Sequence, residues 1–83
     1  MPNVTLSKGV AVELYAETGI STGTQLSVFN NLSTTVKLSD TQGGLDGPDF
    51  INLLGYERAL NKIGVNEAWV ISIDDGFVNV TEA

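Results

Sequence analysis

The sequence predicts an all-β fold, a small β-sandwich or barrel of about 6–8 short antiparallel strands. Two observations carry this. Apolar and polar residues alternate over short stretches, the period of a strand with one buried face. Gly, Asn and Asp interrupt these stretches at short, regular intervals, as tight turns require. A third observation restricts what such a fold does: the 83 residues include no histidine and no cysteine. The commonest general base and metal ligand, the thiol nucleophile and the disulfide are all missing.

Val4–Leu6 alternates and is broken by Lys8-Gly9. Val10, Val12 and Leu14 then share one face, with Ala11, Glu13 and Tyr15 on the other, a half-buried strand. Two turn segments, Glu17–Gly19 and Ser21–Gly23, flank Ile20, which is expected to plug one end of the core. Leu26 and Val28 alternate again, with Phe29 opposite. Leu32, Thr34, Val36 and Leu38 return on one face after Asn30-Asn31, a pair that suits a two-residue turn. A hairpin is therefore expected over 25–38.

Residues 39–49 are rich in Gly and Asp and read as a long surface loop. The next segment is ambiguous. Pro48 at a first helical position, Asp49 near the N-terminus, a shared face of Leu53, Tyr56, Leu60 and Ile63, and a Gly64 stop describe a short helix at 49–62. Gly55 in its middle opposes this by about 1 kcal/mol, and Phe50–Leu54 followed by Tyr56–Leu60 reads equally as two strands. Trp69, Ile71 and Ile73 share a face of the next strand, and Asp74-Asp75-Gly76 signals a hairpin turn. Phe77–Val80 returns with Val78 and Val80 on one face. Trp69, in the most apolar strand, is expected to anchor the core, so that Trp69→Ala would cost about 3–5 kcal/mol.

The chain forms a single domain, 1–83, and a domain of this size buries only about 60–65% of its unfolded surface. Self-association is the remaining common support. Charged residues make up only 17% of the chain, below the usual quarter, which hints at surface committed to an interface. The net charge of −6, with four basic residues, opposes binding to a phosphate backbone or an anionic membrane. No apolar run reaches the about 18 residues of a membrane span. Met1 to Leu6 lacks the basic and apolar regions of a signal peptide, so synthesis in a cytoplasm is expected.

No catalytic constellation stands out. Asp40, Asp46 and Asp49 share one loop but not the spacing of a calcium-binding loop, and turn capping explains them. Asp74 and Asp75 are adjacent, so their side chains diverge, unlike the paired carboxylates of a glycosidase. Asn3, Asn31 and Asn79 each begin an Asn-x-Ser/Thr sequence, which a Ser-, Thr- and Asn-rich chain produces by chance. No phosphate loop or nucleophile elbow is present. No enzyme, metal or cofactor is expected.

The run V-E-L-Y-A-E-T-G-I-S-T-G-T-Q-L-S-V-F-N-N, after an opening V-T-L, resembles a group of small proteins of tailed bacteriophages. The matching positions are Leu14, Tyr15, Thr18, Gly19, Ile20, Gly23, Thr24 and Leu26. At the other end they are Ala68, Trp69, Val78, Val80, Glu82 and Ala83. Glu67 stands where the pattern has Gly, and the loop from Ser39 to Pro48 is not covered. The resemblance implies a β-rich, virion-associated structural protein and favours strands over Phe50–Leu60. The function expected is a capsid decoration or cement protein, made in the host bacterial cytoplasm and carried in the virion. It would be a symmetric homo-oligomer, such as a trimer, bound to the major capsid protein. The alternative is a tail accessory, adaptor or host-recognition module bound to a tail protein, with the 39–49 loop as its variable surface. Candidate interface residues are Tyr15, Phe29 and Tyr56, together with Asp40, Leu45, Asp46 and Asp49 in the loop.

Overall fold

A computed structural model describes residues 3–47 and 49–83. The fold is all-β: among the described residues there are eight strands, β1 (Asn3–Leu6), β2 (Val12–Glu13), β3 (Leu26–Asn30), β4 (Val36–Ser39), β5 (Ile51–Leu53), β6 (Arg58–Leu60), β7 (Trp69–Ser72) and β8 (Gly76–Glu82), and one short helix, α1 (Leu14–Thr18). The strands form two four-stranded antiparallel sheets. Sheet A has the order β1-β8-β3-β6 and sheet B the order β2-β7-β4-β5. One apolar cluster joins them: Val4, Leu6, Leu26, Val28, Val78 and Val80 from sheet A meet Val36, Leu38, Leu53 and Val70 from sheet B. The shortest dimension is 18 Å, room for two sheets about 10 Å apart plus their outer side chains. Each buried Val or Leu contributes about 1.5–3 kcal/mol.

The strand expected through Val10–Leu14 is cut short. Glu13 ends β2 and caps α1, its carboxylate accepting from the backbone N–H groups of Tyr15 (3.1 Å) and Ala16 (2.8 Å). The same carboxylate accepts from Ala68 N–H at 2.8 Å, which ties the helix to the start of β7. Gly19 ends the helix in the left-handed conformation, φ 74°, where a residue with a Cβ would be strained. Leu14 and Tyr15 close one end of the core, and Ile20 packs against it as expected.

Neither expected hairpin forms. β3 pairs with β8 and β6, whereas β4 pairs with β5 and β7, so residues 31–35 carry the chain from one sheet to the other. Asn30 directs this corner. It is fully buried; its Nδ2 donates to the carbonyls of Thr34, Leu53 and Leu54, and its Oδ1 accepts from Leu32 N–H. Asp74-Asp75 likewise joins β7 in sheet B to β8 in sheet A. Asp75 Oδ1 accepts from Lys8 N–H at 2.8 Å.

Residues 51–60 are strands, not a helix. β5 belongs to sheet B and β6 to sheet A, joined by a turn in which Glu57 N–H donates to Leu54 O at 3.1 Å. Gly55 is required there because a Cβ would lie 2.6 Å from the Ser33 carbonyl oxygen. Pro48, read above as a candidate first helical residue, lies outside the described residues, as does Met1.

Trp69 is not a core residue. The buried phase of β7 is Ala68, Val70 and Ser72, which leaves Trp69, Ile71 and Ile73 on the outer face of sheet B. Trp69 is half-buried, with Nε1 donating to Glu67 Oε1 at 2.6 Å. The 39–49 segment is also less free than expected. Its 3-10 turn (Gly43–Leu45) folds back on sheet B with Gly44 and Leu45 buried. Ser39 Oγ donates to Asp49 O (2.9 Å), and Thr41 Oγ1 accepts from Gly44 N–H (3.0 Å).

Candidate functional site

Strand alternation separates two kinds of residue on sheet A. With Val4, Leu6, Leu26, Val28, Val78 and Val80 turned inward, their neighbours face out. In register across the sheet, one outer row runs Asn3, Asn79, Phe29, Arg58. A second pairs Thr5 with Phe77. A third runs Thr81, Ser27, Leu60. Of these nine residues only Arg58 is charged. Side chains of Asn3 and Asn79 hydrogen-bond each other across β1 and β8, which satisfies polar groups that would otherwise need water.

The exposed face of an antiparallel sheet ordinarily carries polar and charged side chains. This one is poor in charge: beside five Asn, Thr and Ser residues it carries two phenylalanines, an exposed leucine and a single arginine, and depletion of charge with aromatic residues and Arg present is the composition of an interface centre. Phe77 is 38% and Leu60 51% exposed, and Phe29 is half-buried. The apolar character continues around the open edge. The strands at this edge are β6 of sheet A and β5 of sheet B. Leu54 and Tyr56 lie on the turn between them, Ile63 lies just beyond β6, and all three are more than half exposed. Tyr56 has a backbone φ of 60°, in the left-handed region that a bulky side chain disfavours.

The outer face of sheet B is different. Leu45 of the 3-10 turn and the half-buried Ile71 line a cleft of ≈ 280 Å³ beside Lys8, Lys37 and Asp46, and Lys37 Nζ lies 4.6 Å from the centre of the Phe50 ring. This sheet is partly covered by its own loop.

The structure sorts the sequence-predicted interface residues into three groups. Tyr15 is buried and belongs to the core: its hydroxyl donates to Thr24 O at 2.6 Å and accepts from Asn61 Nδ2 at 3.0 Å. Leu45 is also buried, packed on sheet B rather than presented to a partner. Phe29 and Tyr56 lie on the sheet A side, Phe29 directly across from Arg58 and Tyr56 two residues before it. Asp40 and Asp49 line one cleft of ≈ 500 Å³ with Phe50 and Lys62, while Asp46 lies at the other cleft. Among the described residues no three His, Cys, Asp or Glu side chains are grouped to hold a metal ion, and no helix is long and apolar enough to cross a membrane.

Sequence reasoning missed Phe77, Arg58 and Leu60. Their signal was the low overall charge, but placing that deficit on one face required the pairing of β8, β3 and β6. Comparison with protein-family models, curated proteins and solved structures returns no match.

Proposed function

We propose that this chain is a structural protein of a tailed bacteriophage virion, a decoration protein that docks on the head surface and stabilises the shell without catalysis. The observation that carries the reading is the outer face of sheet A, where nine outward residues in register include one charge and two phenylalanines beside an open apolar edge. A decoration protein needs such a face. It must exclude water against a fixed lattice and be held by shape and apolar contact rather than by chemistry. The sequence resemblance to small phage virion proteins supports the same reading. Weak binding by each copy is sufficient, because a shell offers many equivalent sites and neighbouring contacts add. The acidic balance of the chain limits adhesion to DNA during assembly.

The test is to incubate purified protein with particles of the parent phage that lack it and to localise it by cryo-EM. Regular density on the head lattice, lost with Phe77→Asp, supports the proposal. Density confined to the tail transfers the protein to the tail accessory or adaptor class, and absence from the particle removes the virion role.

A further inference from the structure

We infer that β6 is the self-association edge of this protein, and that a second copy adds its own β6 antiparallel across a two-fold axis at Ala59. The backbone hydrogen bonds define what the edge offers. Asn30 N–H donates to Glu57 O (2.8 Å) and Asn61 N–H to Leu26 O (3.2 Å). Residues 57, 59 and 61 therefore direct their backbone groups toward β3. Arg58 and Leu60 direct theirs away from the sheet, into an unpaired edge. At the neighbouring edge of sheet B, Asn30 Nδ2 takes the carbonyls of Leu53 and Leu54 at one end of β5.

Charge selects the register. A two-fold axis at Arg58 sets Arg58 against Arg58 of the second copy. An axis at Leu60 sets Arg58 against Lys62. Both oppose like charges, which is destabilising across strands. An axis at Ala59 avoids this. It pairs Arg58 with Leu60 twice, uses the outward backbone groups of both residues in each copy, and lays the stem of Arg58 along the leucine. The exposed Leu60, Tyr56 and Ile63 all lie at this edge, and an 83-residue domain without disulfides gains most from such an addition. Sheet A of the two copies becomes one eight-stranded sheet whose outer face is twice as wide. Self-association at β6 is independent of any virion role.

Sedimentation of the full-length protein over a concentration series tests this without phage particles. Wild type is expected to form a dimer. Leu60→Lys places a second cation opposite Arg58 at two symmetry-related positions and is expected to weaken the dimer by about tenfold or more. Leu60→Glu places an anion there and is expected to preserve or tighten it. The double variant Arg58→Glu with Leu60→Lys restores it. Leu60 is half exposed, and unchanged thermal unfolding of each variant at dilute concentration confirms that the monomer fold is intact. Three results overturn the inference: a wild type that stays monomeric to about 1 mM, an oligomer indifferent to Leu60→Lys, or equal weakening by Lys and Glu, which would indicate an apolar patch without this register.

Discussion

Tyr56 places a large, 62% exposed side chain on a backbone with φ 60°. A left-handed conformation costs a residue with a Cβ about 1–2 kcal/mol, and glycine would avoid that at the cost of unfolded-chain entropy. Tyr56→Gly is therefore expected to leave stability unchanged or raise it by up to about 1 kcal/mol in chemical denaturation, while weakening whatever contact the ring makes. A clear loss of stability would show that the ring supports the fold instead. Tyr15 is the opposite case. Its hydroxyl links Thr24 to Asn61, and Asn61 Oδ1 accepts from Leu26 N–H at 2.6 Å. Tyr15→Phe retains the ring packing but strands these groups, at an expected cost of about 1–2 kcal/mol, measurable as a shift of the denaturation midpoint at constant slope.

At the scale of elements, Asn30 decides more than any apolar residue. It ends β3, turns the chain out of sheet A and closes the carbonyls at the end of β5. Asn30→Ala removes the partners of three carbonyls and one N–H in a buried site, and an expected loss of about 3–5 kcal/mol, by the same denaturation assay, follows. Asn30-Asn31 was legible as a turn, but not as a corner between sheets, because a side chain that satisfies backbone groups serves both. The strands themselves were legible wherever one face is apolar: Val4 and Leu6, Leu26 and Val28, Val36 and Leu38, Val78 and Val80 are all buried as the alternation requires. In β7 both faces are apolar, so alternation could not choose between Trp69-Ile71-Ile73 and Ala68-Val70-Ser72. The small residues went inward, and the loop from β4 to β5 covers part of the other face. Trp69→Ala is accordingly expected to fold cooperatively, with a loss of about 1–2 kcal/mol rather than that of a core aromatic. The outer face of sheet A was illegible for a related reason. Phe29, Arg58, Leu60 and Phe77 come from three strands that are neighbours only through tertiary pairing.

At the scale of the whole molecule, seven connections join the eight strands of the described residues, and among these only the one from β4 to β5 stays within a sheet. Every other connection passes from one sheet to the other, so among the described residues no other two consecutive strands make an independent hairpin. The first strand pairs with the last, Asn3 with Asn79 and Leu6 with Gly76, and β8 lies between β1 and β3 while contributing Val78 and Val80 to the core. Two consequences follow. Folding must close long loops before most pairings form, which places this domain among the slow two-state folders, at milliseconds to seconds despite its size; a stopped-flow trace monitored by Trp69 fluorescence that relaxed within microseconds would contradict the topology. Removal of residues 76–83 should not leave a frayed but folded remainder. It deletes the strand that joins β1 to the rest of sheet A and uncovers the inner face of sheet B, so far-UV circular dichroism is expected to show loss of both sheets together. Retention of sheet B alone would mean that its four strands hold without the layer they pack against, which their inward Val36, Leu38 and Val70, bare to water, oppose.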